Sequence, residues 1–152
     1  IYGVLFIRNI KPHGNMNGYE LSRQWFDFSF ENPSKIKIED ILEYSIKGST
    51  DYKKGGFYLI LNKTENKCYI GKSINYMARL KQHLYPSNKR TNIDVELKNS
   101  LDKFEFYLLA KYSDLDINFY NRKLETIIEH RFISTALCHN YKIYNTRHYG
   151  HL

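Results

Sequence analysis

Four side chains able to carry charge or hydrogen bonds recur at short intervals in the middle of the chain: Tyr58, Tyr69, Arg79 and His83. The whole chain has 14 tyrosines and a formal net charge of +7 at pH 7. Phenols can stack on bases or donate hydrogen bonds to phosphates, and Lys and Arg gain affinity for phosphate by releasing counterions. These residue types favour nucleic acid as the partner, although a basic solvated surface would give the same composition.

A β-hairpin is predicted to bring the two tyrosines together. The sequence reads as a strand GFYLILN, a loop NKTENK and a return strand KCYIG. If Leu61 pairs with Cys68, Tyr58 lies opposite Gly71, and Tyr58 and Tyr69 share one face as diagonal neighbours roughly 7–8 Å apart. Gly71 would then leave an empty place across from Tyr58, where another group could approach the backbone. The other face would be apolar, formed by Phe57, Leu59, Leu61, Cys68 and Ile70.

A helix is predicted directly after the hairpin, with Ser73 as its N-cap. Its apolar stripe consists of Met77, Leu80 and Leu84. Arg79 and His83 are four residues apart and share a different stripe. If the helix packs back over the hairpin, both residues would join the tyrosines.

The remaining segments complete a predicted α+β fold. IDVELKNSL reads as a second helix, KFEFYLLAKY as a third strand, and NFYNRKLETIIEHRFISTAL as a long helix. The order β-β-α-α-β-α predicts a small three-stranded sheet, mixed or antiparallel, flanked by helices. The connector KGSTDYKKGG separates a domain at 55–152 from an N-terminal extension at 1–54. In that extension we expect a first strand, a helix followed by alternating aromatics (Trp25, Phe28, Phe30), and a short helix in IEDILEYSI.

The composition also excludes several classes of protein. Cys68 and Cys138 match no zinc spacing, and Cys68 lies in an apolar run, so we expect a buried thiol in a reducing compartment. No apolar run is long enough to cross a membrane. We therefore expect a cytoplasmic protein.

The pattern as a whole resembles the GIY-YIG nuclease family over residues 55–147. The matching features are GFY at 56–58, YIG at 69–71, Arg79, His83, a glutamate on a later helix and a late asparagine. Eleven residues separate Tyr58 from Tyr69, eight separate Gly71 from Arg79, and four more lead to His83. Phe57 replaces the isoleucine of the first triplet on the core-facing side, where it should alter packing and not chemistry.

The resemblance implies a DNA endonuclease that hydrolyses phosphodiester bonds with a divalent metal ion. By this comparison Tyr58 helps to activate the attacking water, Tyr69 is the second tyrosine of the site, and Arg79 neutralises the scissile phosphate. His83 falls where a polar residue assists proton transfer. A tyrosine of ordinary pKa, near 10, is a poor base at neutral pH. Neighbouring cations must therefore lower its pKa, or His83 must relay its proton.

Three further positions are expected to contact the substrate: Gly71 through its backbone, Lys72 through phosphate, and the late asparagine, Asn145. Lys72 is also a candidate for lowering a tyrosine pKa.

The metal ligand is one of two glutamates, Glu125 and Glu129, which lie one helical turn apart. The family pattern places large apolar residues three and four positions after this glutamate. Glu129 is followed by Phe132 and Ile133, and by an asparagine sixteen residues later. The resemblance therefore favours Glu129, with Glu125 as the alternative. A single carboxylate suits Mg²⁺, or Mn²⁺ in its place.

Several roles remain open at the level of sequence. Restriction-type, mobile-element and repair nucleases share this domain, and a non-cleaving nucleic-acid-binding module on the same fold is an alternative. A protein-interaction fold that uses its aromatic N-terminal segment is a third. Residues 1–54 could supply DNA contacts or the surface of a homodimer. Because few residues follow Asn145, we expect no further DNA-binding module after the domain.

Overall fold

A computed structural model describes residues 21–45, 54–86, 91–115 and 122–145. The strands in these ranges are β1 (Ser34–Ile36), β2 (Gly56–Asn62), β3 (Lys67–Ser73), β4 (Phe104–Lys111) and β5 (Lys142–Ile143). The α-helices are α1 (Arg23–Glu31), α2 (Ile38–Glu43), α3 (Tyr76–Leu84), α4 (Asn92–Asn99) and α5 (Arg122–Cys138). Two short 3₁₀ segments, Leu101–Lys103 and Tyr112–Leu115, flank β4. The expected first strand, within residues 1–20, and most of the expected connector lie outside the described residues.

The strands form one mixed sheet in the order β1-β4-β2-β3-β5. The β1–β4, β4–β2 and β2–β3 pairs are antiparallel, and β3–β5 is parallel. The predicted α+β class is confirmed, and the three predicted strands are the central β4, β2 and β3. The predicted strand count is wrong, because β1 and β5 were not foreseen. They are three and two residues long, too short to show an alternating apolar pattern.

The predicted register of the hairpin is confirmed. Leu61 pairs with Cys68, and Tyr58 pairs with Gly71. A bulge between Phe57 and Tyr58 shifts only the pairing of β2 with β4. Alternation along the strands therefore sends Phe57 and Cys68 to one face and Tyr58 to the other.

Each face of the sheet is covered by its own hydrophobic cluster. On one face, Phe57, Leu59 and Ile70 pack with residues of α1 and α5, and Cys68 is buried there as predicted. On the other face, Tyr58 and Ile60 pack with residues of α2, α3 and α4. The sheet is thus enclosed between two helical layers.

Two local predictions are wrong. The aromatics Trp25, Phe28 and Phe30 lie within helix α1, which begins where the Ser22 hydroxyl accepts a hydrogen bond from the Trp25 N–H at 3.1 Å. Helix α3 is capped by Asn75, whose Oδ1 accepts from the Ala78 N–H at 3.1 Å, and not by Ser73. Strand β3 continues through residue 73, so the helix begins later than the residue types suggested.

The described part of the N-terminal extension shares the sheet and the core of the following residues. Strand β1 pairs with β4, and Phe132 of α5 joins α1 to β2. Its ring centroid lies 4.9 Å from that of Phe26 and 5.7 Å from those of Trp25 and Phe57. The proposed roles of this segment in DNA contact or dimerisation remain predictions. Within the described ranges, no helix is both long and apolar enough to cross a membrane.

We expect Phe132→Ala to lower the free energy of unfolding by about 3–5 kcal/mol, because it leaves a cavity among three other rings. Leu137→Ala is the matched control on the same helix, because Leu137 is 53% exposed; its change should stay within about 0.5 kcal/mol. Urea unfolding of the three proteins measures both values. A loss below about 1 kcal/mol for Phe132→Ala would contradict this packing.

Candidate active site

The ring of Tyr58 lies directly over Gly71. A Cβ atom at position 71 would lie 2.2 Å from the Tyr58 Cζ and 2.3 Å from its hydroxyl oxygen. The expectation of an empty place opposite Tyr58 is therefore wrong, because the tyrosine fills it. Glycine is needed here so that Tyr58 can lie flat against β3.

The Tyr58 hydroxyl forms a hydrogen bond with His83. The distance from its oxygen to His83 Nε2 is 2.9 Å, and each residue is only 1% exposed. His83 therefore points into the space between α3 and the sheet. Tyr69 completes the group, since its ring centroid lies 5.2 Å from that of His83 and 6.3 Å from that of Tyr58. Tyr69 is half-buried and forms the more open side of this cluster.

The second ring nitrogen of His83 contacts a carboxylate that the sequence did not single out. His83 Nδ1 lies 2.6 Å from Oδ1 of Asp94, which is itself 4% exposed. Asp94 belongs to a capping box at the start of α4, formed with Thr91. The pattern Thr-x-x-Asp predicts such a box. The contact with His83 depends on how α3 packs against α4, and no local pattern predicts it.

The protonation states of this pair follow from their surroundings. Burial lowers the pKa of His83 despite the hydrogen bond to Asp94, so the imidazole is neutral at neutral pH. Burial alone would raise the pKa of Asp94, but the hydrogen bonds from His83 and Thr91 outweigh it and lower the pKa. Asp94 is therefore an ionised carboxylate.

The pKa of Tyr58 is shifted in the direction opposite to the one expected from its cationic neighbours. Burial raises it well above the ordinary value of 10.0, and the nearby Tyr69, Glu129 and Asp94 raise it further. Arg79 opposes the shift but does not cancel it. Tyr58 is therefore a neutral phenol that can release its proton only when an acceptor takes it directly.

Two cationic side chains lie near the tyrosines. Arg79 is half-buried on α3, and its Nη1 donates to Gln82 Oε1 at 3.3 Å. Lys72 projects from the opposite face of β3, where its Nζ lies 3.6 Å from Oε1 of Glu129. Strand β3 therefore separates a Tyr58–His83 side from a Lys72–Glu129 side.

The two candidate metal ligands have different neighbours. The Glu129 side chain is 12% exposed, pairs with Lys72 and acts on the pKa of Tyr58. Glu125 lies beside Tyr112, whose pKa is raised by burial and by the charges of Glu125 and, to a smaller extent, Glu129. Glu129 therefore lies on the Lys72 side of β3 and is still close enough to Tyr58 to act on its pKa.

A metal ion fits the surroundings of Glu129 as a single-carboxylate site. The described residues contain no group of three or more His, Cys, Asp or Glu side chains placed to share an ion. Mg²⁺ is commonly held by one or two carboxylates together with waters and phosphate oxygens, so a fuller set of protein ligands is not required. The Lys72 Nζ lies 3.6 Å from Glu129 Oε1, so a positive charge already lies beside this carboxylate.

Asn145 extends the edge of the sheet beside the cluster. Its Nδ2 donates to the Ile70 carbonyl at 2.7 Å, and its Oδ1 accepts from the Ile70 N–H at 3.1 Å. The side-chain amide thus pairs with β3 one residue before Gly71, as a neighbouring strand would. The second Nδ2 hydrogen could still reach a substrate, and that contact stays a prediction.

Comparison with known proteins identifies the class to which this fold and site belong. The sequence model of the GIY-YIG catalytic domain matches residues 54–131, just over half of the chain. The chain belongs to the GIY-YIG family, as the resemblance indicated. The match includes the two tyrosines, Arg79, His83 and Glu129, and also Asp94.

One curated relative is a probable intron-encoded endonuclease from Neurospora crassa. It is 33% identical over 84 residues, which is 53% of this chain and 27% of the relative. The chain thus spans about a quarter of that protein's length. No solved structure gives a significant match.

We expect Gly71→Ala to lower the free energy of unfolding by about 1–3 kcal/mol, since the new methyl group overlaps the Tyr58 ring. In a Tyr58→Leu background the same change should have an effect below about 0.5 kcal/mol, because the shorter side chain removes the overlap. Urea unfolding of the four proteins completes this double-mutant cycle. Equal losses in both backgrounds would show that Gly71 is required for another reason.

Proposed function

We propose that the protein is a metal-dependent DNA endonuclease, in which Tyr58 and His83 move the proton of the attacking water. The 2.9 Å contact between the Tyr58 hydroxyl and His83 Nε2 carries this proposal. Membership of the GIY-YIG family and the printed name of the Neurospora relative support the nuclease activity. The net charge of +7 supports a polyanionic substrate.

In the proposed reaction a water oxygen bonds to phosphorus and the bond from phosphorus to the 3′-oxygen breaks. As the water attacks, its proton passes to the Tyr58 oxygen and the Tyr58 proton passes to His83 Nε2. Because the two transfers are concerted, Tyr58 never has to carry a full negative charge in its buried position. The leaving 3′-oxygen takes a proton from solvent.

Arg79 and Lys72 supply positive charge around the phosphate. The half-buried guanidinium of Arg79 is free to turn from Gln82 towards a bound phosphate, because that hydrogen bond is long and exposed. Charge that develops on the phosphate during attack would be stabilised by this cation. Lys72 would compensate Glu129 until a metal ion binds, and would then be released towards the DNA backbone. Tyr69, on the open side of the cluster, would contact the substrate.

Glu129 would hold the metal ion, Mg²⁺ or Mn²⁺. An ion held there would polarise a phosphate oxygen and stabilise the leaving oxygen. Glu129 is preferred over Glu125 because its carboxylate acts on Tyr58 and lies 3.6 Å from the Lys72 Nζ.

Among nuclease roles, the relative's name favours a mobile-element enzyme over a restriction or repair enzyme. A cytoplasmic location and a homodimer are proposed on sequence grounds only. A non-cleaving nucleic-acid-binding module is the alternative that the following experiment distinguishes.

We expect the wild type to nick supercoiled plasmid when Mg²⁺ or Mn²⁺ is present and not when EDTA is added. Glu129→Gln should lower the rate by about 10²-fold or more, because it removes the charge that holds the ion. Glu125→Gln, one turn away on the same helix, is the matched control and should change the rate by less than about threefold.

The possible outcomes separate the claims. DNA binding by the wild type with no metal-dependent nicking would contradict the enzyme and favour the binding module. Nicking lost in Glu125→Gln and kept in Glu129→Gln would reverse the choice of ligand.

A further inference from the structure

Asp94 is buried against the one ring nitrogen of His83 that does not contact Tyr58. Nδ1 lies 2.6 Å from Asp94 Oδ1, and Nε2 lies 2.9 Å from the Tyr58 hydroxyl. The imidazole therefore stands between a phenol and a carboxylate in a continuous hydrogen-bonded chain. All three side chains are almost fully buried, so water cannot replace any of these partners.

We propose that Asp94 is a positioning residue, which fixes the proton of His83 on Nδ1 and so keeps Nε2 free to accept the Tyr58 proton. This inference rests on the proposed function, which it deepens.

The contact geometry permits only one neutral tautomer of His83. A carboxylate only accepts hydrogen bonds, so a separation of 2.6 Å requires a proton on Nδ1. A neutral imidazole carries one N–H, which leaves Nε2 as an acceptor for the Tyr58 O–H. The opposite tautomer would place the lone pair of Nδ1 against the Asp94 oxygen, with no water to intervene.

The local structure of α4 prevents Asp94 from turning away. Its backbone N–H lies 3.4 Å from the Thr91 hydroxyl, and the Thr91 N–H lies 3.4 Å from Asp94 Oδ2. The capping box thus holds one carboxylate oxygen while the other faces His83. A rigid orientation of this kind is what keeps a general base in one tautomer.

Asp94 would also stabilise the positive charge that His83 gains during the reaction. The charged and titratable groups that act on His83 or adjoin its ring are Tyr58 on β2, Tyr69 on β3, Arg79 on its own helix and Asp94 on α4. Of these, Arg79 disfavours an imidazolium, and Asp94 opposes that effect. Without the Asp94 carboxylate, the imidazolium that forms when His83 accepts the Tyr58 proton would not be stabilised.

The test combines a kinetic and a spectroscopic measurement on the full chain. Asp94→Asn keeps the size of the side chain but can donate to Nδ1, which forces the proton onto Nε2. We expect kcat for plasmid nicking to fall by about 10²–10⁴-fold, with KM for DNA changed by less than about threefold. Thr91→Ala is the structural control: it removes the hydroxyl that caps α4 but keeps the Thr91 backbone N–H that holds Asp94 Oδ2, so kcat should fall by less than about threefold.

An NMR measurement reports the tautomer of His83 independently of activity. Two-bond ¹H–¹⁵N correlations are recorded on protein with ¹⁵N-labelled histidine, and the His83 signals are assigned as those missing in His83→Gln. The wild type should show a protonated Nδ1 and a bare Nε2, and Asp94→Asn should show the reverse.

Three results would overturn the inference: a protonated Nε2 in the wild type, nicking by Asp94→Asn within about threefold of wild type, or an equal loss in Thr91→Ala. Should Asp94→Asn fail to fold, the wild-type spectrum still decides. Absence of nicking by the wild type would refute the proposed function. The NMR spectrum would then still show whether Asp94 fixes the proton of His83 on Nδ1.

Discussion

The hydroxyl of Tyr58 lies inside the protein, and a phenol in that position must have a hydrogen-bond partner. His83 is that partner, and much of the local structure follows from the contact. Position 71 must be glycine because the ring of Tyr58 lies on it. Helix α3 must approach the sheet closely enough to bring His83 within reach. His83 in turn buries its second nitrogen, which requires an acceptor, and Asp94 provides it.

Strand β3 connects the buried hydrogen-bonded series of Tyr58, His83 and Asp94 to the more open part of the site. Successive residues of the strand point to opposite faces, so Gly71 supports Tyr58 while Lys72 reaches Glu129. Strand β5 pairs with β3 only at Lys67 and Cys68. Beyond that point the side chain of Asn145 takes its place and pairs with the backbone of Ile70. A small shift of this edge would therefore move both sides of the site together.

The hairpin could be predicted from the sequence because its register depends on local features, namely the loop length and the alternation of apolar residues. Motif spacing singled out Tyr58, Tyr69, Arg79 and His83 as candidates, and the structure brings the two tyrosines and His83 together. Asp94 was missed because its contact with His83 arises from the packing of two helices, and no local pattern records that packing. Two routes were left open for the Tyr58 proton, and the structure does not support the one that needs neighbouring side chains to lower the Tyr58 pKa. Counting the neighbouring cations omitted burial, which is the larger effect in this position.

The central claim is that the Tyr58 hydroxyl takes part in the reaction, and its removal tests this most directly. Tyr58→Phe keeps the ring over Gly71 and deletes only the hydrogen bond to His83. Tyr107→Phe deletes a hydroxyl from the neighbouring strand, where it donates to Glu105 on the opposite face, and serves as the matched control. Under single-turnover conditions with Mg²⁺, we expect Tyr58→Phe to nick plasmid about 10²-fold more slowly than wild type, and Tyr107→Phe to stay within about threefold. A folded Tyr58→Phe protein that cleaves DNA as fast as Tyr107→Phe would contradict the account.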